Sequence, residues 1–128
     1  MTHYGISKKT PLPFDQAVEK VTQLLASKGF GVLTKIDVQQ KMQEKLGKEM
    51  EKYLILGACH PSTAYEAIQN ETEIGLLLPC NVIVYEKNGE VFVSAIRPSV
   101  AMSFVNNPKM ETLAQTIEKS LEEVIASI

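Results

Sequence analysis

Between residues 81 and 96 the chain reads NVIVYEKNGEVFVSAI, two apolar stretches joined by Asn88 and Gly89. Both joining residues tolerate the positive φ of a type I′ loop, so the segment is predicted to form an antiparallel hairpin. The loop length then sets the register. Lys87 falls opposite Glu90, Tyr85 opposite Phe92, Val84 opposite Val93, Ile83 opposite Ser94 and Cys80 opposite Arg97. Successive side chains alternate across a strand, and here both faces carry apolar residues. One face must receive helices. The other needs a cover that so short a chain does not supply, and a second copy of the chain is the expected one, giving a homodimer.

The remaining segments divide cleanly by period. Tyr4 and Ile6 alternate within residues 2 to 9, which suits a first strand. Phe14, Ala17, Val18, Val21, Leu24 and Leu25 recur at helical spacing, with Pro13 in the first turn and Lys28 and Gly29 at the end. From 30 to 38 the period becomes two, with Phe30, Val32, Thr34, Ile36 and Val38 on one side of a half-buried strand. Residues 39 to 48 are polar apart from Met42 and Leu46, a short surface helix stopped at Gly47. The apolar run YLILGAC, 53 to 59, reads as an interior strand, and Pro61 opens a helix bearing Ala64, Tyr65 and Ile68. Pro79 splits the next apolar run into strand pieces at 76–78 and 81–86, because proline cannot donate to a central ladder. Pro98 ends the second hairpin strand, residues 99 to 105 connect, and Asn107-Pro108 starts a final helix with the stripe Met110, Leu113, Ala114, Ile117, Leu121, Val124, Ile125. The predicted order is β-α-β-β-α-β-β-α: a two-layer α+β fold whose mostly antiparallel sheet carries helices on one face, with a ferredoxin-like arrangement as the alternative.

Bulk properties narrow the partners. A chain of 128 residues with 45% hydrophobic and 22% charged residues is expected to form a single domain over 1–128. Its formal net charge of −2, without a basic cluster, leaves no footprint for nucleic acid. No apolar run approaches the roughly 18 residues of a membrane span, so no membrane partner is expected. The opening MTHYGISKKTPLP lacks the pattern of a secretory signal, which points to the cytoplasm and to reduced thiols.

Those thiols sit in two matched settings, LGACHP at 56–61 and LLPCNV at 77–82, each beside a proline at the end of an apolar run. Cys59 falls at a strand–helix junction, where a helix dipole favours a thiolate, and the hairpin register sets Arg97 beside Cys80. Cys59, His60, Cys80, Asn81 and Arg97 are therefore the candidate binding residues for a small molecule, anionic or sulfur-containing. The alternatives are a thiol-based redox or sulfur-transfer protein, with Cys59 reacting and Cys80 resolving it, and an interaction domain with inert buried cysteines. No metal site is expected: C-x-x-C is absent, the adjacent Cys59 and His60 side chains point apart, and no fourth ligand is evident. No catalytic residue and no cofactor is assigned, since Cys59 with His60 as base rests on adjacency alone.

The segments GFGVLTKIDV (29–38), KLG (45–47), ILGACHP (55–61) and IGLLLPCNVIVYE (74–86), with Pro98, resemble the domain of unknown function 302 family over nearly the whole chain. The resemblance implies a compact α+β domain, usually dimeric, and assigns no activity. The family pattern has asparagine between cysteine and proline, GACNP, where this chain has His60. That position is the expected N-cap of a helix, and histidine caps less well than asparagine.

Overall fold

The computed structural model describes residues 2–128. The hairpin forms as its turn dictates: β4 (Cys80–Lys87) and β5 (Glu90–Ile96) pair with Lys87 opposite Glu90, Tyr85 opposite Phe92 and Val84 opposite Val93. Asn88 and Gly89 both adopt positive φ, 53° and 79°. β3 (Tyr53–Cys59) flanks the other side of β4, β2 (Gly31–Asp37) lies beyond it, and β1 (Gly5–Thr10) pairs with β5. The sheet order is β1-β5-β4-β3-β2 with every neighbouring pair antiparallel. Consecutive strands β2 to β5 lie side by side and β1 closes the far edge, so the ferredoxin-like alternative is not the topology.

Three long helices, α1 (Phe14–Ser27), α3 (Pro61–Asn70) and α5 (Pro108–Ala126), supply the second layer of this α+β fold. Their stripes meet the sheet residues that alternate inward. Val21 and Leu25 of α1 and Leu121 and Val124 of α5 are buried with Leu56, Val82, Val84 and Val93. Shorter elements fill the connections: α2 (Val38–Leu46), a 3-10 helix (Thr72–Leu77) and α4 (Pro98–Ala101). Asp37 caps α2 by accepting from the Gln40 amide at 3.0 Å, and Gly47 ends it in the left-handed region. Asn107 caps α5 through the Lys109 amide at 3.0 Å.

Three local expectations are corrected. Residues 76–78 are not a strand piece; they close the 3-10 helix, whose Ile74 is buried with Ala67 and Met110 in a second apolar cluster. Apolar burial under α3 and α5 outweighs strand preference there, because no neighbouring strand extends past Cys80 to pair with them. The connection 99–105 begins as a helical turn, α4. β2 does not present one continuous face. The register slips between Val32 and Thr34, so Val32 lies opposite Ala58 on the helix side while Thr34 and Ile36 lie opposite Gly57 and Ile55 on the open side. Leu33 is the extra residue of the bulge.

Gly57 is where β3 admits its neighbours most closely. A Cβ there would collide with Thr34 Oγ1 and stand 2.9 Å from Pro79 Cγ. Thr34 Oγ1 can swing aside only by changing its χ1 rotamer, and the Pro79 ring, fixed to the backbone just before β4, can yield only if the chain beside Cys80 shifts. Gly57→Ala is expected to destabilise the fold by about 1–3 kcal/mol, the usual cost of overpacking, read as a lowered midpoint in urea unfolding. An unchanged midpoint would show that β2 moves aside freely.

Candidate functional site

The buried apolar residues form two groups rather than one. The larger lies between the sheet, α1 and α5; the smaller gathers Ala67, Ile74 and Met110, with Leu78, Met102 and Leu113 packed on it. A cavity of about 270 Å³ opens between them. Phe30, Ala58, Cys80 and Ile117 from the first group face Ala67, Met102, Met110 and Leu113 from the second. Its physical origin is side-chain size, since Ala64 and Ala67 on α3 and Ala114 on α5 are too small to fill the space between their helices. No Asp, Glu, Lys or Arg lines it.

Both cysteines reach this cavity. The pairing of β3 with β4 sets Ala58 opposite Cys80, and Cys59, the last residue of β3, follows one residue on. Both thiols are free and half-buried. Burial, and after it the charge that Cys59 would carry, push the Cys80 thiol up to about 11. Cys80 is therefore a neutral thiol at physiological pH, a small apolar wall with a weak donor.

His60 is the N-cap residue of α3 and its side chain makes no cap bond to the helix backbone. Its Nδ1 instead lies 2.9 Å from Thr63 Oγ1 and 3.4 Å from Ser62 Oγ. The ring meets Phe30 edge-on, with centroids 5.3 Å apart, and covers Gly29, where a Cβ would stand 3.0 Å from Nε2. Gly29 has φ +85°, which closes α1 and leaves the room that the imidazole occupies. The imidazole thus joins the α1–β2 turn to the start of α3 and borders the cavity.

Asn81 and Arg97 do not join this group. Asn81 follows Cys80 in the pleat, so it projects from the open side of the sheet, where it borders a separate shallow depression with Tyr53, Ile83 and Tyr85. Arg97 turns to α5, its Nη1 3.2 Å from Glu118 Oε2 and 3.9 Å from Glu122 Oε2. Glu118 also accepts from the Ser99 amide at 2.9 Å. Burial alone would raise the Glu118 carboxyl, but the Ser99 and Arg97 bonds outweigh it and hold the group below the usual carboxylate range. This arrangement fixes α4, whose Pro98, with the following Met102, forms one wall of the cavity. Among the described residues, no three His, Cys, Asp or Glu side chains are grouped to hold a metal ion.

Sequence reasoning found Cys59, His60 and Cys80 but missed Thr63, Leu33 and the facing alanines. Thr63 carried one readable signal, its place in the first turn of a helix with a poor cap. Leu33 had none, because the bulge that delivers it depends on how β2 meets β3.

The family described as domain of unknown function DUF302 matches residues 6–128. A crystal structure of an uncharacterized conserved protein DUF302 from Bacillus stearothermophilus is similar at 27% identity and a TM-score of 0.91, over 98% of each chain. No curated protein matches. No helix among the described residues is long and apolar enough to cross a membrane.

At pH 8 a thiol titrating near 11 holds roughly a hundredfold less thiolate than one at the ordinary 9.0. Iodoacetamide, followed by peptide mass spectrometry, is expected to modify Cys80 about a hundredfold more slowly in the native protein than in the unfolded chain. The folded state keeps a proton that the unfolded chain releases above pH 9, so stability should decline as pH rises through that value. Equal native and unfolded rates would contradict the buried, neutral assignment.

Proposed function

The chain belongs to the DUF302 family, a domain of unknown function, and we propose that it is a small-molecule binding module whose interior cavity takes an apolar ligand. The observation that carries this reading is the cavity of about 270 Å³ between two apolar clusters, lined by hydrocarbon, two thiols, His60 and Thr63. The pocket is open on one side, where Leu33 and Ile68 are exposed, and a fitting guest takes its apolar lining out of water at roughly 25 cal/mol per Å². A pocket enclosed by apolar side chains with a few polar groups is also the usual form of a small-ligand site. The commitment of Arg97 to Glu118 and Glu122 removes the cation that an anionic ligand would need, so the ligand proposed is apolar. Cys59, His60 and Cys80 border it, while Asn81 and Arg97 act elsewhere.

A thiol-exchange role finds less support, because a Cys80 held neutral is a poor resolving nucleophile.

The proposal extends to a homodimer through the open side of the sheet. Tyr53, Tyr85 and Phe92 stack in a row there, with centroids 5.7 and 5.2 Å apart, beside Ile55 and Ile83. Among the described residues no helix covers that row, and a self-complementary apolar face is what a two-fold interface requires.

Two measurements test these readings. Butylbenzene titrated into isotope-labelled protein should shift the amide resonances of α3 and α5 saturably, and Ala67→Leu, which fills the cavity from the α3 wall, should abolish those shifts without lowering the melting temperature. Unsaturable or scattered shifts would refute the cavity as a site. Sedimentation equilibrium should report twice the chain mass for the wild type and a monomer for Ile83→Glu, which sets a charge in the proposed interface; a monomeric wild type would refute the dimer.

A further inference from the structure

We propose that the cavity selects a neutral oxygenated molecule, an apolar body ending in one carbonyl or hydroxyl group, and that the hydrogen-bonded pair Thr63 and His60 reads that group. This inference rests on the binding reading above and names the class of ligand for the same site.

Charge is the first constraint. No Asp, Glu, Lys or Arg lines the cavity, and Arg97, which precedes the lining residue Pro98, is paired with Glu118 and Glu122. A carboxylate or ammonium entering the cavity would lose its hydration with no opposite charge to meet it, a far larger penalty than hydrocarbon contact returns. A wholly hydrocarbon guest would leave the two strongest polar side chains of the wall without a use. Thr63 and His60 are those two groups, and the thiols of Cys59 and Cys80 bond only weakly.

The second constraint is where those groups sit. Thr63 lies on the same wall of α3 as Ala64 and Ala67, so its hydroxyl adjoins the surface that would hold the apolar body. Its Oγ1 is 2.9 Å from His60 Nδ1, and the imidazole is held by the edge of Phe30 and by the space over Gly29. The bond between them has two directions. With the proton on Nδ1, the imidazole donates to Oγ1 and the threonine hydroxyl proton is free for a ligand carbonyl. With the proton on Nε2, the hydroxyl donates to Nδ1 and its lone pairs accept from a ligand hydroxyl. Exchange between these two tautomers serves either group.

The test uses three probes of matched size: butylbenzene, 4-phenyl-2-butanone and 3-phenylpropanoate at pH 7. Affinities are measured by amide-shift titration of the wild type, Thr63→Val and Thr63→Ser. The ketone is expected to bind about tenfold more weakly to Thr63→Val than to the wild type, the loss expected from one missing hydrogen bond. Thr63→Ser restores the hydroxyl and should restore the affinity. Butylbenzene should bind all three proteins alike, and 3-phenylpropanoate should bind the wild type most weakly. An equal effect of Thr63→Val on ketone and hydrocarbon, or an anion that binds as well as the ketone, overturns the inference while leaving the cavity as a site. Saturable binding by none of the probes overturns both.

Discussion

Because Ala64 and Ala67 on α3 and Ala114 on α5 are short, those helices cannot close the space between them, and the apolar interior divides into a large group against the sheet and a small one under the 3-10 helix. A main core with a smaller satellite cluster is a common arrangement. Here the separation leaves a hydrocarbon-lined space at the end of β3 and the start of β4. Every feature of the candidate site follows from its position beside that space. The bulge at Leu33, the turn at Gly29 and the helical turn of α4 each deliver one wall.

Electrostatics are arranged to keep charge out of the same space. Arg97 would be a natural anion ligand if its neighbours were apolar, but Glu118 and Glu122 on α5 draw it outward, and Glu118 binds the Ser99 amide as well. Two interactions thereby anchor α4 to α5, and the wall formed by Pro98 and Met102 is held by ionic contacts lying outside the cavity. Cys80 follows the same logic: the burial that makes it a cavity wall also keeps its proton on. What remains polar comes from the start of α3, the imidazole of the N-cap residue His60 and the hydroxyl of Thr63.

The two sides of the sheet have separate tasks. Alternation along β3, β4 and β5 sends Leu56, Val82 and Val93 to the helices and Ile55, Ile83 and Phe92 to the open side. That alternation is why Cys80 and Asn81, adjacent in sequence, border different concavities. A substitution in one should leave the other unchanged unless it alters the register, and Gly57 is the position where register and packing are most tightly coupled.

Several of these properties were legible in the residues alone. Asn88-Gly89 dictated the hairpin and its register, because few residues accept positive φ twice in succession. Helical stripes in α1 and α5 named the residues that meet the sheet, and the order of elements followed from the changes of period. Local rules also marked His60 as a helix start without a proper cap, and the structure bears this out: its imidazole bonds to hydroxyls and not to backbone amides. What pairwise register could not convey was the third dimension. The β4–β5 pairing runs from Lys87–Glu90 to Val82–Ala95 and leaves Arg97 just past the end of β5, where the guanidinium is free to turn, and only the packing of α5 against the sheet brings Glu118 within 3.2 Å of it. The bulge at Leu33 and the meeting of three alanines are likewise invisible to local periodicity, since each depends on residues distant in the chain approaching one another. Short-range chemistry determined the elements and the location of the thiols; long-range packing decided that a pocket free of Asp, Glu, Lys and Arg would open beside them.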